Sequence, residues 1–299
     1  MDKNLKILKN YLSSSIESMS NYGKTLILNA NFNDIYHSMN SGTFVRSNFK
    51  TKIKYFFSLI AQYIIFKNII FTNIFIKKYK IICNLQKRIF NNELIIHSIF
   101  LDILNKKKLL EKNVCIIGDG KANLVTGVLD KKEINKIYSV NLPQALIQDY
   151  LILTKYKLIE PSKIKIVNNR NDLLDDSIKL FMIPAINKDV LLNQNINLFI
   201  NSYSFQEMPI KEVNKYIEVV KSNFAYLYSI NREEKDMLDG NIIRYSEYGI
   251  PKNKIIFHEE AKFVKKFYNS RFPFIHKKKG KVLHTLAYFD NFAEKSTSH

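Results

Sequence analysis

From about residue 113 the chain alternates short β-type runs with helical stretches, and this alternation limits the fold more than any other feature. Residues 114–117 read as a first strand and 121–129 as a helix. A second strand at 137–140 precedes a helix at 143–157. Its first position is Pro143, where the missing N–H costs no helical bond. Residues 178–183, 196–200 and 224–230 supply three more strands, with a helix from about 209 to 221 before the last. Residues 164–167 form an additional short strand, and 254–257 and 282–288 make a β-rich tail. Such alternation builds βαβ units, whose crossovers produce a mainly parallel sheet. The expected fold is therefore α/β, a Rossmann-like doubly wound domain over 111–299. A mostly helical region over 1–110 precedes it.

Composition narrows the class. With 46% hydrophobic and 13% aromatic residues the chain can bury a large core, which excludes wholesale disorder. Two cysteines, Cys83 and Cys115, cannot make a disulfide framework, and no metal-type Cys/His spacing or acidic metal cluster stands out. The absence of a secretory pattern adds to the expectation of a reduced, cytoplasmic protein. The net charge of +19 invites a nucleic-acid reading, yet only six of the 46 basic residues are arginine. Lysine, asparagine and isoleucine are what A/T-rich codons encode, and a phosphate-reading surface favours the planar arginine fork. The excess is concentrated in 1–110, with 17 basic against 5 acidic residues.

Within 1–110 the run 55–76 is long enough to span a bilayer, but Gln62, Lys67, Asn68 and Asn73 interrupt it. Wound as a helix, Ser58, Gln62, Asn68, Thr72 and Asn73 gather on one side. That clustering predicts an amphipathic helix packed in a domain or lying on a membrane surface. The region is expected to receive substrate, form a homo-oligomer, or make a peripheral membrane contact. No catalytic constellation is visible in it.

The first strand is followed by Gly118-Asp119-Gly120-Lys121-Ala122-Asn123. Glycines here permit a tight turn and close approach of a ligand, and the next helix offers unpaired N–H groups. A dinucleotide fingerprint wants a small residue at position 123, where Asn123 stands. The S-adenosylmethionine version wants one at position 122, where Ala122 stands. The turn thus favours S-adenosylmethionine over NAD. Asn141 occupies the position after the second strand where an acidic side chain usually receives ribose hydroxyls. It is equally placed to cap the helix that Pro143 opens.

Three segments, 137–153 (IYSVNLPQALIQDYLIL), 196–209 (INLFINSYSFQEMP) and 227–251 (LYSINREEKDMLDGNIIRYSEYGIP), together resemble the sugar O-methyltransferase family. These are class I S-adenosylmethionine-dependent enzymes associated with bacterial surface polysaccharides. The resemblance covers roughly 113–290. Its most specific pieces are Ser204-Phe205-Gln206-Glu207-Met208, Asn231-Arg232-Glu233 and Arg244-Tyr245-Ser246-Glu247-Tyr248. Ala122 and Asn141 depart from the general class I pattern.

The resemblance implies methyl transfer to a sugar or glycan hydroxyl, with S-adenosylmethionine as cofactor. By fold position it implies that Gly118, Asp119 and Gly120 cradle the amino-acid half of the cofactor. Asn141 and Leu142 would meet ribose and adenine, Pro184 and Ala185 would line the adenine side, and Asn201 would face the reactive centre. Glu207, past the fourth strand, is the first candidate base, and His258, beside Glu259 and Glu260, the second. The competing reading of Glu207 is an acidic residue in a helix's first turn, and that of His258 a structural histidine. Gln206, Arg232, Arg244 and Tyr245 are candidates for substrate contact, the arginines as a clamp for an acidic sugar or phosphate. The alternatives are structural ion pairs for the arginines and a core position for Tyr245.

Two other function classes remain open on the sequence. A nucleic-acid methyltransferase would suit the charge, but no Asn/Asp-Pro-Pro-Tyr/Phe motif is present, so no nucleic-acid partner is expected. A degenerate domain that binds without catalysis would suit Ala122 and Asn141.

Overall fold

The computed structural model describes residues 2–14, 49–86, 88–237, 240–268 and 275–290. Its first part is helical: α1 (Lys3–Ser14), α2 (Phe49–Ile70), α3 (Ile74–Leu85) and α4 (Asn92–Lys106). There follow β1 (Lys112–Ile117), α5 (Asn123–Val128), β2 (Ile134–Asn141), α6 (Pro143–Lys155), β3 (Ile164–Ile166) and β4 (Leu180–Pro184). Next come β5 (Leu198–Ser202), α7 (Ile210–Ser222) and β6 (Tyr226–Arg232). The tail holds β7 (Glu234–Asp236), β8 (Ile242–Arg244), β9 (Ile255–Glu260), β10 (Lys266–Tyr268), β11 (Ile275–Lys277) and β12 (Val282–Tyr288).

The main sheet runs β3-β4-β2-β1-β5-β6-β12-β9. Strands from β3 to β6 are parallel, and β12 lies antiparallel between β6 and β9. This is the Rossmann-like, doubly wound α/β arrangement the sequence predicts. Because β1 pairs with both β2 and β5, the winding reverses there, and the carboxyl ends of those strands are where open α/β sheets bind ligands.

Side-chain alternation explains the two apolar layers. Val114 and Ile116 of β1 face the helices α1 to α6, while Cys115 and Ile117 face α7. Both faces are covered, so the central strands read as continuous apolar runs. On one side α7 buries Val213, Tyr216, Ile217 and Val220. On the other, Leu8 of α1, Ile76 and Tyr79 of α3, and Phe100, Leu101 and Leu104 of α4 share one core with β1 and β2. The apolar core therefore runs from the helical region into the sheet.

Three local expectations are corrected. The helix expected over 121–129 is instead a 3-10 turn, Gly120–Ala122, followed by α5. Lys121 and Ala122 adopt left-handed φ of 63° and 50°, which no continuous helix allows. The hairpins β7–β8 and β10–β11 were not legible, since three-residue strands such as Glu234-Lys235-Asp236 carry no apolar alternation.

The third correction concerns 55–76, which is two helices rather than one. Asn73 begins the second, its Oδ1 accepting from Phe75 N (2.9 Å) and Ile76 N (3.2 Å). The side that gathers the polar residues is largely turned inward. Ser58, Gln62 and Asn73 are buried, with Gln62 Nε2 donating to the carbonyl of Phe90 (3.0 Å) and Asn73 Nδ2 to that of Ser98 (3.0 Å). Only Asn68 and Thr72 of that set are exposed. Among the described residues no helix is long and apolar enough to cross a membrane.

Candidate functional site

Gly118 closes β1 at the switch point. Its φ of +73° lies in the left-handed region, and a methyl group on it would stand 2.3 Å from the Cβ and Oγ of Ser204 in the loop after β5. Glycine is thus required twice, by the backbone and by the approach of the neighbouring loop. Gly120 differs, because a methyl there would meet nothing within 4 Å. Lys121, Ala122 and Tyr203 (φ 61°) also hold left-handed backbones beside Gly118. Such strained residues cluster at ligand sites.

Two buried carboxyl groups clasp this turn. Asp119 accepts from Leu124 N (2.9 Å) and Val125 N (2.8 Å), capping α5. Asp149, from the middle of α6, accepts from Ala122 N (2.6 Å) and from the backbone of Lys121. Burial pushes Asp119 up to about 7, and burial together with the Asp119 charge pushes Asp149 well above the usual carboxylate range. Asn141 completes the clasp. Its Nδ2 donates to the carbonyl of Asp119 (2.7 Å) and to Asp149 Oδ2 (3.4 Å), and its Oδ1 accepts from Leu142 N (2.9 Å). The side chains of Asp119 and Asn141 therefore hold the turn itself, and the cap position of α6 belongs to Leu142 rather than Asn141.

This arrangement selects among cofactors. A pyrophosphate at a helix N-terminus needs free N–H groups. Here the N–H groups of Lys121, Ala122, Leu124 and Val125 are taken by the chain's own carboxyl groups. A ligand carrying a positive charge would instead ease the ionisation of Asp119 and Asp149. Beyond the turn, Pro184 stands beside Asn141 in register, and Ala185 opens the next 3-10 segment. The amide of Gln144, in the first turn of α6, has both polar atoms buried with no partner among the described residues.

The carboxyl ends of β5 and β6 form an interlocked rim. Asn201 is fully buried; its amide donates to the carbonyl of Ile117 (3.3 Å) and to Ser204 Oγ. Its Oδ1 accepts from Phe205 N (3.3 Å) and Asn231 Nδ2 (2.9 Å). Gln206 N donates to Asn231 Oδ1 (3.2 Å), and Arg232 N to Gln206 Oε1 (2.8 Å). The carboxylate of Glu207 pairs with Lys235 and accepts from Gln206 Nε2 (3.3 Å). Glu207 lies in the single turn of the 3-10 helix Phe205–Glu207, as the competing reading expects, and also makes this ion pair; Glu212 holds the first turn of α7. Asn201, Gln206, Glu207 and Arg232 are thus brought together.

The region where no constellation was expected supplies the remaining polar groups. Helix α4 carries His97, buried, with Nε2 3.4 Å from Ser202 Oγ at the end of β5. Its Nδ1 has no partner among the described residues. Burial lowers its pKa to about 4, so the imidazole is neutral. Glu93 in the same helix and the buried Arg88 both reach Asn123, at 3.4 and 2.8 Å. Across the rim, Lys278 Nζ lies 4.6 Å from the Tyr203 ring centre and 3.4 Å from its hydroxyl. Burial and then the charge of Arg232 lower Lys278 to about 8. No local sequence signal marks His97 or Asp149, because which side of each helix is buried is decided by tertiary packing.

Three candidates lie apart from this cluster. Arg244 is exposed and bridges Glu234 (3.1 Å) and Glu247 (3.6 Å). Tyr245 is a core residue, its hydroxyl donating to the carbonyl of Ser229 (3.3 Å), so it presents no face to a sugar. His258 sits on β9, the outer strand, bonded to Thr285 Oγ1 (2.7 Å). Two strands separate β9 from β5, roughly 14 Å at about 4.8 Å per strand. Among the described residues no group of three or more His, Cys, Asp or Glu could hold a metal.

No protein-family model matches this chain, and no curated protein does. Solved structures do align with it. A SAM-dependent methyltransferase from Aquifex aeolicus aligns at 13% identity and TM-score 0.35, over 63% of this chain and 88% of that one. An S-adenosylmethionine-dependent methyltransferase from Clostridium acetobutylicum aligns at 8% identity and TM-score 0.39, over 65% and 90%. An rRNA methylase from Streptococcus thermophilus aligns at 12% identity and TM-score 0.36, over 66% and 96%.

Proposed function

We propose that this protein is an S-adenosylmethionine-dependent methyltransferase that methylates a hydroxyl of a sugar. The observation that carries the cofactor reading is the clasped glycine turn. Asp119 and Asp149 take up the N–H groups that a pyrophosphate would need, and a cationic cofactor beside them would favour their ionised forms. S-adenosylmethionine would supply an electrophilic methyl group on a sulfonium. Gly118 and Gly120 would admit its amino-acid half, Gln144 would pair with the adenine edge, and Leu142, Pro184 and Ala185 would line that side.

The sugar reading rests on the family resemblance of the segments that form the β5–β6 rim. A sugar hydroxyl needs help to lose its proton. His97 is the group we assign to that task, since its Nδ1 has no partner among the described residues and its Nε2 lies beside Ser202 at the end of β5. Glu207, held by Lys235 and Gln206, would orient the acceptor. Arg232 and Lys278, flanking Tyr203, suit a sugar that bears a carboxylate or phosphate. The net charge of +19 is the one observation that favours a nucleic-acid acceptor.

The test is transfer of a labelled methyl group to a panel of neutral sugars, acidic sugars, nucleotide sugars, RNA and DNA. Label on an acidic or phosphorylated sugar is the expected result. Label on RNA or DNA alone would replace the sugar reading with the nucleic-acid one. Cofactor binding with no transfer to any acceptor would favour a binding module.

A further inference from the structure

Helix α2 presents its apolar side to the outside. Ser58, Ala61 and Gln62 are buried against the protein, while Ile53, Phe56, Phe57, Ile60 and Ile64 are 41–60% exposed on the opposite stripe. Their spacing of three and four residues keeps them on one face. Beyond Asn73, α3 continues with Ile74, Ile81 and Leu85 at 55–62% exposure. A run of exposed apolar side chains on this scale marks an interaction surface.

Charge identifies what covers it. The segment 49–85 contains seven lysines (50, 52, 54, 67, 77, 78 and 80) and no aspartate or glutamate. The exposed Lys67, Lys77 and Lys80 lie among the apolar residues. The β10–β11 hairpin, which α2 packs beside, pairs Lys266 with Lys277. A second copy of this chain would bring the same lysines against themselves. An anionic bilayer accepts both features, because aromatic and aliphatic side chains enter the acyl boundary while lysines meet the headgroups.

We propose that the α2–α3 face docks the protein on an anionic lipid surface. The contact is interfacial, and the buried Ser58 and Gln62 stay with the protein side of the helix. The inference stands on this face alone and is independent of the cofactor and acceptor.

The experiment uses the full chain with phosphatidylcholine vesicles, with and without phosphatidylglycerol, in a sedimentation assay. The comparison protein carries Phe56→Ser, Phe57→Ser and Ile64→Ser, all at exposed positions, and thermal melting checks that it folds. The expected result is binding to phosphatidylglycerol vesicles only, weakened by salt and reduced at least tenfold in the folded triple variant. Absence of binding by the wild type, or binding that the variant retains in full, would overturn the proposal. So would an oligomer that the triple variant dissociates, if no vesicle binding accompanies it. If the triple variant does not fold, Ile64→Ser alone is measured and is held to the same direction of change.

Discussion

On the β1–β2 side of the switch point, Asp119, Asp149 and Asn141 satisfy the turn's backbone and each other. On the α4 side, His97 places Nε2 3.4 Å from Ser202 Oγ and its ring 5.4 Å from that of Phe100, and Nδ1 is unpartnered among the described residues. The first network fixes a backbone shape, and every group in it is occupied. The second leaves a neutral nitrogen at the end of β5, and an unpaired buried polar atom costs stability unless function uses it. The comparison teaches that a motif's named side chains can be its scaffold, while an unpaired polar group comes from a helix outside the motif.

Gly118→Ala should break the comparison most severely, because Gly118 is where the two sides touch. Left-handed strain and the overlap with Ser204 together should cost about 2–5 kcal/mol, measured by urea unfolding. Gly120→Ala, with open space around it, should cost far less and should act on cofactor affinity instead.

His97→Ala should separate the sides cleanly. The expected loss in kcat is about 100-fold or more if His97 is the base, with S-adenosylhomocysteine affinity unchanged. Equal losses in both would place His97 in the cofactor scaffold.

The clasp has a pH signature. Asp119 is raised to about 7 from an unfolded value near 3.9. The native state therefore holds the extra proton between those values. Its stabilising contribution is complete below about pH 4 and is lost as pH rises through 7, at up to about 1.4 kcal/mol per unit. Thermal melts without cofactor should show this decline, and Asp119→Asn should reduce it, the raised Asp149 keeping a share of the same sign. Binding of a cationic ligand should show the opposite trend, tightening as pH rises through 7.

The smallest effects should come from Arg244→Ala and His258→Ala. Arg244 makes exposed ion pairs, worth at most about 1 kcal/mol. His258 lies at the sheet's outer edge, so neither change should move cofactor affinity in a titration.

Much of the fold was legible because its strands are buried on both faces, which writes runs such as Val114 to Ile117 directly into the sequence. Helix α7 was equally clear, with Pro209 before it and one apolar stripe. The helix α2 misled for a physical reason. Periodicity reports that two faces differ, but not which face is inside, and here Gln62 found the carbonyl of Phe90 and turned the polar side inward. At the site, the glycine turn could be read from local spacing, and the β5–β6 rim from the family resemblance and its place in the fold. Asp149 and His97 could not, because each reaches the turn or β5 through tertiary packing, from α6 and α4.

The central claim is that the clasped turn receives S-adenosylmethionine rather than a pyrophosphate cofactor. Calorimetric titration of the protein with S-adenosylhomocysteine, and in parallel with NAD, tests it directly. Micromolar binding of the first, no binding of the second, and loss of the first in Asp149→Ala are the predicted results. Binding of NAD, or of neither ligand by a folded protein, would contradict it.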